Sequence, residues 1–144
     1  MAQDNKLFFV GLKAFIEKDG KVLILRETFT PYTKERAWEL PGGRIQHDED
    51  AVPLESILLR EVREECGENL RITVGDVIHV FRRQFSDASW VFLVGYDCKY
   101  LSGEVSISTE HTEYQWLAPE DIDTYDFVNG YKEAITEYFR KKAS

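Results

Sequence analysis

The sequence predicts a layered α/β domain, and three observations support this. Segments rich in valine, isoleucine and aromatic residues, typical of strands, alternate with two segments of helical periodicity. The chain has 144 residues, which is enough for one domain with a real core. No internal repeat, linker or low-complexity segment divides it. We therefore expect residues 1–144 to form a single domain.

The first half of the chain is predicted to form strands separated by turns. The expected strands cover residues 7–17, 21–27 and 37–40. Asp19 and Gly20 form a hairpin turn signal, because glycine tolerates a positive φ. Residues 28–36 and 44–52 are polar and are predicted to be loops on either side of Pro41-Gly42-Gly43.

The second half is predicted to contain further strands and a final helix. The expected strands cover residues 70–74, 76–85, 90–100 and 113–117. Gly75 is expected to bend the chain between the first two, and a helical turn is expected at 119–122. Asn129 is predicted to cap a last helix, whose apolar residues follow helical spacing at Tyr131, Ala134, Ile135, Tyr138 and Phe139.

Residues 54–66 are predicted to form the other helix, with Pro53 next to its first turn. The segment contains no glycine and many strong helix formers. At 100° per residue the apolar positions form one stripe, made of Leu54, Ile57, Leu58 and Val62. Glu61 and Glu65 project onto the same arc and Glu64 lies beside it, so three neighbouring carboxylates are expected at the inward face.

Such a cluster of acids needs compensation. Two carboxylates about 6 Å apart repel by roughly 2–3 kcal/mol at an effective dielectric near 20. One interpretation is a solvated face that is salt-bridged by Arg60 and Arg63. The other is a divalent metal site, because Mg²⁺ and Mn²⁺ prefer oxygen ligands and would remove the repulsion. The angular overlap with the apolar stripe favours the metal site.

These residues resemble the signature of the Nudix hydrolase family. The match is complete over the helical part of the signature, at Arg60, Glu61, Val62, Glu64, Glu65 and Gly67, and Pro41-Gly42-Gly43 stands where the family opens its loop. The chain departs from the pattern in three places. Gly43 lies 17 positions before Arg60, three more than in the family, and Glu68 replaces an apolar residue. The family's loop glutamate falls on Val52, and the spacing leaves its replacement open among Glu49, Asp50 and Glu55.

The resemblance implies an α/β/α sandwich with a mixed sheet. It also implies hydrolysis of a nucleoside diphosphate linked to another group, by attack of water on a phosphorus, with Mg²⁺ or Mn²⁺ as cofactor. Carried over by position, Glu61, Glu64 and Glu65 would bind the metal, together with the carbonyl of Gly42 or Gly43. Arg60 would orient the glutamates by a charged hydrogen bond.

One more carboxylate is expected to orient the attacking water or to hold another metal. Glu110 is the leading candidate because it stands in a polar loop six residues before Trp116, as a late-loop glutamate does in some members of the family. Glu113 and Asp97 remain alternatives. Of the three histidines, His47 and His111 are expected to be solvated loop residues, and His79 to be structural.

The substrate is less well defined by the sequence. Trp38 and Phe29 are candidates to stack on a base, and the candidates for phosphate binding are Arg26, Arg36 and Arg44. A nucleoside triphosphate or a modified nucleotide is favoured. The alternatives are a Nudix-like module that senses a nucleotide without cleaving it, and a non-enzymatic acidic interaction domain.

Composition sets the remaining expectations. The formal net charge of −8 argues against a nucleic acid partner, because the field of the protein repels a polyanion. No apolar run reaches transmembrane length, and Cys66 and Cys98 are expected to be reduced structural thiols. We therefore expect a cytoplasmic protein with a small nucleotide substrate and no membrane partner, for which a homodimer remains open.

Overall fold

The computed structural model describes residues 4–28, 37–85 and 87–144. Its strands are β1 (Phe9–Lys18), β2 (Lys21–Glu27), β3 (Trp38–Glu39), β4 (Gly42–Arg44), β5 (Arg71–Gln84), β6 (Trp90–Ser102) and β7 (His111–Leu117). Its helices are α1 (Leu54–Cys66) and α2 (Tyr131–Ala143), with a 3₁₀ helix at Pro119–Thr124. None of the described helices is long and apolar enough to cross a membrane.

The strands form one mixed sheet with β1 near its centre. The order is β3-β2-β1-β6-β5, and β4 pairs with β1 while β7 pairs with β2. The β1–β6 pairing is parallel and runs from Phe9 opposite Val91 to Glu17 opposite Lys99. All the other pairings between these strands are antiparallel. Strand β1 therefore holds β4, and with it Gly42 and Gly43, against the middle of the fold.

Each face of the sheet is covered by one helix, which confirms the predicted α/β/α sandwich. Alternate residues of the central strands point to opposite faces, as the period of a strand requires. Leu12 and Leu23 pack with Ile57, Leu58 and other residues of α1 in one core cluster. A second cluster, on the α2 side, contains Phe15, Val22, Ile24, Tyr131, Ala134, Ile135 and Tyr138.

Most of the predicted elements are present, and helix 54–66 has the predicted bounds. The two strands expected at 70–74 and 76–85 are one strand, β5, because Gly75 lies within a register shift between Val74 and Val77 that keeps the pairing with β6. Strand β7 begins two residues earlier than expected, at His111. Most of the predicted 28–36 loop lies outside the described residues.

The predicted N-cap of the last helix is wrong. The residue that precedes α2 is Gly130, with a φ of 93°, and no side chain caps the helix. Asn129 lies one residue further out, where its carbonyl oxygen accepts a hydrogen bond from Arg83 Nε at 3.0 Å. Gly130 adopts the left-handed backbone conformation that glycine tolerates. The helix therefore begins without the side-chain hydrogen bond that was expected from Asn129.

Candidate active site

A cleft of about 490 Å³ opens between β4, α1 and the loop before β7. The residues that line it include Gly42, Gly43, Arg44, Glu61, Glu65 and Glu110. Six residues singled out in the sequence are thus brought to one place from three separate segments. A larger groove of about 550 Å³ lies between α1 and β5, but Glu68 is the one carboxylate among its lining residues. The smaller cleft is therefore the candidate active site.

Two glycines allow β4 to approach its neighbours closely. Gly42 has a φ of 135°, and a Cβ at this position would collide with the carbonyl oxygen of Leu12 on β1. A Cβ on Gly43 would lie 2.6 Å from the carboxyl carbon of Glu61. Larger residues would therefore either displace β4 from the sheet or push the Glu61 carboxylate away from the loop backbone.

Glu65 is buried in the floor of this cleft. Its side chain accepts a hydrogen bond from the Gly42 amide, with 2.7 Å between the nitrogen and Oε1. Burial raises the pKa of Glu65 to about 7, although Lys13 and the Gly42 amide both oppose the shift. Burial also raises the pKa of Glu61, against the attraction of Arg60. Both carboxylates therefore lack full charge compensation from the protein, which is the environment that a bound cation would relieve.

Glu64 does not share this burial. Its side chain is 58% exposed and pairs with Arg60 at 3.0 Å, one turn earlier in the helix. The angular estimate placed Glu64 beside the inward arc, and in the structure this flank faces solvent. Two of the three predicted carboxylates therefore point into the cleft, and metal binding by Glu64 stays a prediction.

Arg60 connects three acids through its guanidinium group. Nη2 lies 2.7 Å from Glu49 and 3.1 Å from Glu61, while Nη1 contacts Glu64. Glu49 is buried and also accepts a hydrogen bond from the Gln46 amide at 2.8 Å. Among the three acids that the spacing left open, Glu49 is thus the one that contacts Arg60. The planar fork of arginine suits this arrangement, because it can donate to several carboxylates at once.

Replacing Arg60 with alanine is expected to impair both stability and activity. The variant leaves the buried Glu49 carboxylate without its charged donor and frees Glu61 to move. We expect a melting temperature lower by a few degrees and a loss of turnover, measured by calorimetry and by an activity assay. The matched control is Arg63→Ala on the exposed side of the same helix, which removes the same charge. Equal effects in the two variants would contradict the orienting role of Arg60.

A buried lysine beneath the cleft was not identified from the sequence. Lys13 Nζ donates to Glu39 Oε1 at 3.2 Å, to the Leu40 carbonyl at 3.1 Å and to the Gly42 carbonyl at 3.3 Å. Burial by itself disfavours the charged form, but Glu39 outweighs it and the pKa of Lys13 is raised. The available signal was a lysine inside the apolar strand segment from Leu12 to Ile16. Lys13 fixes the backbone that carries Gly42.

His111 is buried, so the expectation of a solvated loop histidine is wrong. The longer β7 begins at His111, which pairs with Glu27 of β2, and the residue is 5% exposed. Its Nε2 lies 3.1 Å from Glu39 Oε2. Burial lowers the pKa of His111, but the Glu39 carboxylate prevails and the net shift is upward. Lys13 overcomes the effect of burial at Glu39 and lowers its pKa to about 2.

Glu110, Glu113 and Asp97, the three candidates for the additional carboxylate, lie in different environments. Glu110 is exposed in the loop before β7, as predicted, and one ligand atom each from Glu65, Glu110 and His111 lies within 4.8 Å of the other two. Glu113 instead pairs with Arg26 at 2.7 Å. Asp97 accepts a hydrogen bond from Tyr138 on α2, on the opposite face of the sheet from α1. Neither of these two is among the cleft-lining residues.

The predicted substrate-binding residues fall into different environments. Arg44 lines the cleft, and its guanidinium carbon lies 4.9 Å from the Phe9 ring centre and 5.2 Å from that of Phe85. Trp38 is 7% exposed and packs on Tyr125 in the core, so base stacking by its ring gains no support. Arg26 pairs with Glu113, outside the cleft lining. The candidates Phe29 and Arg36 lie outside the described residues.

The other histidines agree with their expected environments. His47 is exposed and lines the cleft. His79 accepts a hydrogen bond from Lys141 Nζ, with 3.2 Å to its Nδ1, and burial lowers its pKa. The thiols of Cys66 and Cys98 are free and buried.

The pH dependence of stability should reveal the buried acids. Since the folded-state pKa of Glu65 is about 7, against 4.5 in the unfolded chain, the folded protein binds more protons between these pH values. Its stability should therefore fall as the pH rises from 4.5 to 7, by up to about 3 kcal/mol for this group. Glu27, whose pKa burial also raises to about 7, acts in the same direction.

Thermal denaturation of the metal-free protein across this range measures the effect. Glu65→Gln should remove part of the stability loss, because Glu27 and Glu61, whose pKa values are also raised, are left in place. An unchanged pH profile in this variant would show that the Glu65 carboxylate carries no burial penalty.

The chain is similar in sequence and in structure to known proteins. The NUDIX domain matches residues 10–138 of the chain. Nucleoside triphosphatase NudI of Escherichia coli O17:K52:H18 is 30% identical over 121 residues, which cover 77% of this chain and 82% of the relative. The crystal structure of a MutT protein from Methanosarcina mazei Go1 has a TM-score of 0.80 and 27% identity, and the match covers 99% of both chains.

A more distant structural neighbour is an ADP-ribose pyrophosphatase from Streptococcus suis. Its TM-score is 0.71 at 20% identity, with 94% of this chain and 92% of the neighbour covered. This likeness shows the fold alone.

The cleft, the helix carboxylates and these matches define the class of the protein. The chain belongs to the Nudix hydrolase family. It is an enzyme of the Nudix hydrolase type, which confirms the sequence-based prediction at this level.

Proposed function

We propose that this protein is a divalent-metal-dependent hydrolase of a nucleoside triphosphate or a modified nucleotide. Residues 1–144 act as a single domain that cleaves a phosphoanhydride bond and leaves a nucleoside monophosphate and pyrophosphate. The observation that carries the proposal is the pair of buried carboxylates, Glu61 and Glu65, which line one cleft together with Gly42 and Gly43. A nucleotide phosphate chain can reach these groups because the glycines present no side chain.

The donor set fits Mg²⁺ or Mn²⁺. The buried carboxylates of Glu61 and Glu65 both have raised pKa values, and oxygen ligands are those that these cations prefer. Glu64 would join them by turning from Arg60. The Gly42 carbonyl already accepts a hydrogen bond from Lys13, which favours Gly43 as the backbone ligand. When bound, the cation neutralises phosphate charge and makes a bound water more acidic.

The remaining residues position the reaction. Arg60 holds Glu61 in place through Nη2, a contact that remains when Glu64 turns toward the metal. Glu110, at the exposed edge of the cleft, orients the attacking water and accepts its proton. Arg44 lies in the same cleft wall and binds the phosphates of the substrate.

The choice of a triphosphate rests on the relatives and on the cleft. The relative at 30% identity is a nucleoside triphosphatase. The cleft places Arg44 beside the metal-binding acids, where several linked phosphates would need positive charge. The rings of Phe9 and Phe85 flank the Arg44 guanidinium and hold it by cation–π contacts.

The proposed location is the cytoplasm, where free nucleotides are available and thiols stay reduced. Cys66 and Cys98 are free, and burial raises the pKa of both thiols, which makes them poor nucleophiles at neutral pH. The small nucleotide is the proposed partner, and the charge of −8 disfavours nucleic acid.

A product screen tests the proposal. Nucleoside triphosphates, modified nucleotides and nucleoside diphosphate sugars are each incubated with the protein and Mg²⁺ or Mn²⁺, and the products are separated by chromatography. We expect pyrophosphate and monophosphate from at least one triphosphate, and none with a chelator. Release of orthophosphate alone would contradict the proposed bond. Tight nucleotide binding without cleavage would instead favour a sensor module.

A further inference from the structure

His111 carries a buried ring nitrogen without a partner. The side chain is 2% exposed, and Nδ1 has no hydrogen-bond partner within the described part of the chain. Buried polar atoms in folded proteins are almost always paired with protein, water or a bound ion. We therefore expect a water molecule or an ion to contact Nδ1.

The acids beside His111 belong to two other segments. Glu65 reaches the ring from α1, and Glu110 precedes His111 in the loop before β7. One ring nitrogen and one carboxylate oxygen from each acid lie within 4.8 Å of one another. Atoms at this spacing can surround one cation after small side-chain adjustments.

The other ring nitrogen fixes the tautomer. Nε2 lies 3.1 Å from Glu39 Oε2, and Glu39 Oε1 accepts a hydrogen bond from Lys13 at 3.2 Å. The Glu39 carboxylate can only accept at Nε2, so Nε2–H donates to it, and Nδ1 carries the lone pair whenever the ring is neutral. A histidine whose second nitrogen donates to a carboxylate is a common arrangement around protein-bound metals.

We propose that His111 Nδ1, Glu65 and Glu110 form a mixed nitrogen–oxygen cation site in the inner part of the cleft. A nitrogen ligand shifts preference from Mg²⁺ toward first-row transition ions, and Mn²⁺ is the member of that group that also suits the two carboxylates. The inference rests on the proposed function for Glu65 and Glu110 and adds His111 as a ligand. One Glu110 oxygen can hold the ion while the other receives the water proton.

A spectroscopic test identifies the ligand directly. The chain has three histidines, and the double variant His47→Gln/His79→Gln leaves His111 as the only one. Mn²⁺ is added to this variant, and electron spin echo modulation of the bound ion is recorded with natural histidine and with ¹⁵N-labelled histidine. We expect ¹⁴N modulation that changes to the ¹⁵N pattern on labelling.

A second variant gives a matched comparison. His111→Gln should abolish the modulation and weaken Mn²⁺ binding by at least tenfold, with a much smaller effect on Mg²⁺. If the variant does not fold, the labelled double variant still decides the question. Bound Mn²⁺ without nitrogen modulation would overturn the inference, assign Nδ1 to water and leave the proposed function standing. Absence of bound Mn²⁺ would overturn both.

Discussion

Glu65→Gln is expected to lower turnover by about 10³-fold while the protein remains folded. The glutamine oxygen can still accept the hydrogen bond from the Gly42 amide, so the local shape is kept. The variant loses the negative charge that would hold the cation, and a Lewis-acid metal contributes several kcal/mol to a transition state, at 1.36 kcal/mol per tenfold in rate. Steady-state kinetics with saturating metal measure the effect.

The control for this variant is Glu55→Gln, an exposed acid on the same helix. It changes the net charge equally and should leave turnover close to that of the parent protein. Glu65→Gln should also be at least as heat-stable as the parent without metal, because the buried charge is gone. Near-normal turnover would contradict a metal-binding role, and loss of folding would mark Glu65 as structural.

Glu110→Gln is expected to lower kcat by about 10²–10⁴-fold, the usual contribution of a general base. Glu110 is the exposed carboxylate in the cleft lining and lies in the loop before β7. The change should affect substrate affinity little, because Arg44 and the metal hold the phosphates. Part of the metal binding should remain, since Glu61 and Glu65 are intact.

Glu113→Gln provides the matched comparison for Glu110. It removes an acid three residues away whose side chain pairs with Arg26, outside the cleft lining. Its turnover should change far less than that of Glu110→Gln. If Glu110→Gln had near-normal turnover, the role of the base would pass to a helix glutamate, and the spacing between Glu110 and Trp116 would be a coincidence.

The sequence predicted those parts of the site that depend on local periodicity. Helix α1 was recovered with its bounds because its apolar stripe, Pro53 and the absence of glycine all agree. The same period placed Glu61 and Glu65 inward. The helical period could not decide the environment of Glu64, because packing decides whether a residue at the border of the inward arc is buried. In the structure Glu64 is exposed and pairs with Arg60.

Contacts between distant segments were not predictable in the same way. Lys13, Glu39 and His111 come from three strands, and although Lys13 stands in an apolar segment, the sequence does not indicate which residues it contacts. Their burial together follows from the pairing of β2 with β3 and β7 and of β1 with β4. Trp38 was a plausible base-stacking residue until the β2–β3 pairing placed it in the core. Glu49 pairs with Arg60, and its carboxylate also accepts a hydrogen bond from the Gln46 amide in the loop. The sequence spacing alone could not predict this pairing.

Metal binding to the intact protein tests the central claim most directly. Isothermal titration calorimetry with Mn²⁺ is performed on the parent protein, Glu65→Gln and Glu55→Gln, each with a non-hydrolysable nucleoside triphosphate analogue present. The account predicts saturable binding at millimolar metal or below for the parent and Glu55→Gln, with strongly weakened binding for Glu65→Gln. No binding to the parent protein, or equal binding to all three, would contradict a metal site at Glu61 and Glu65.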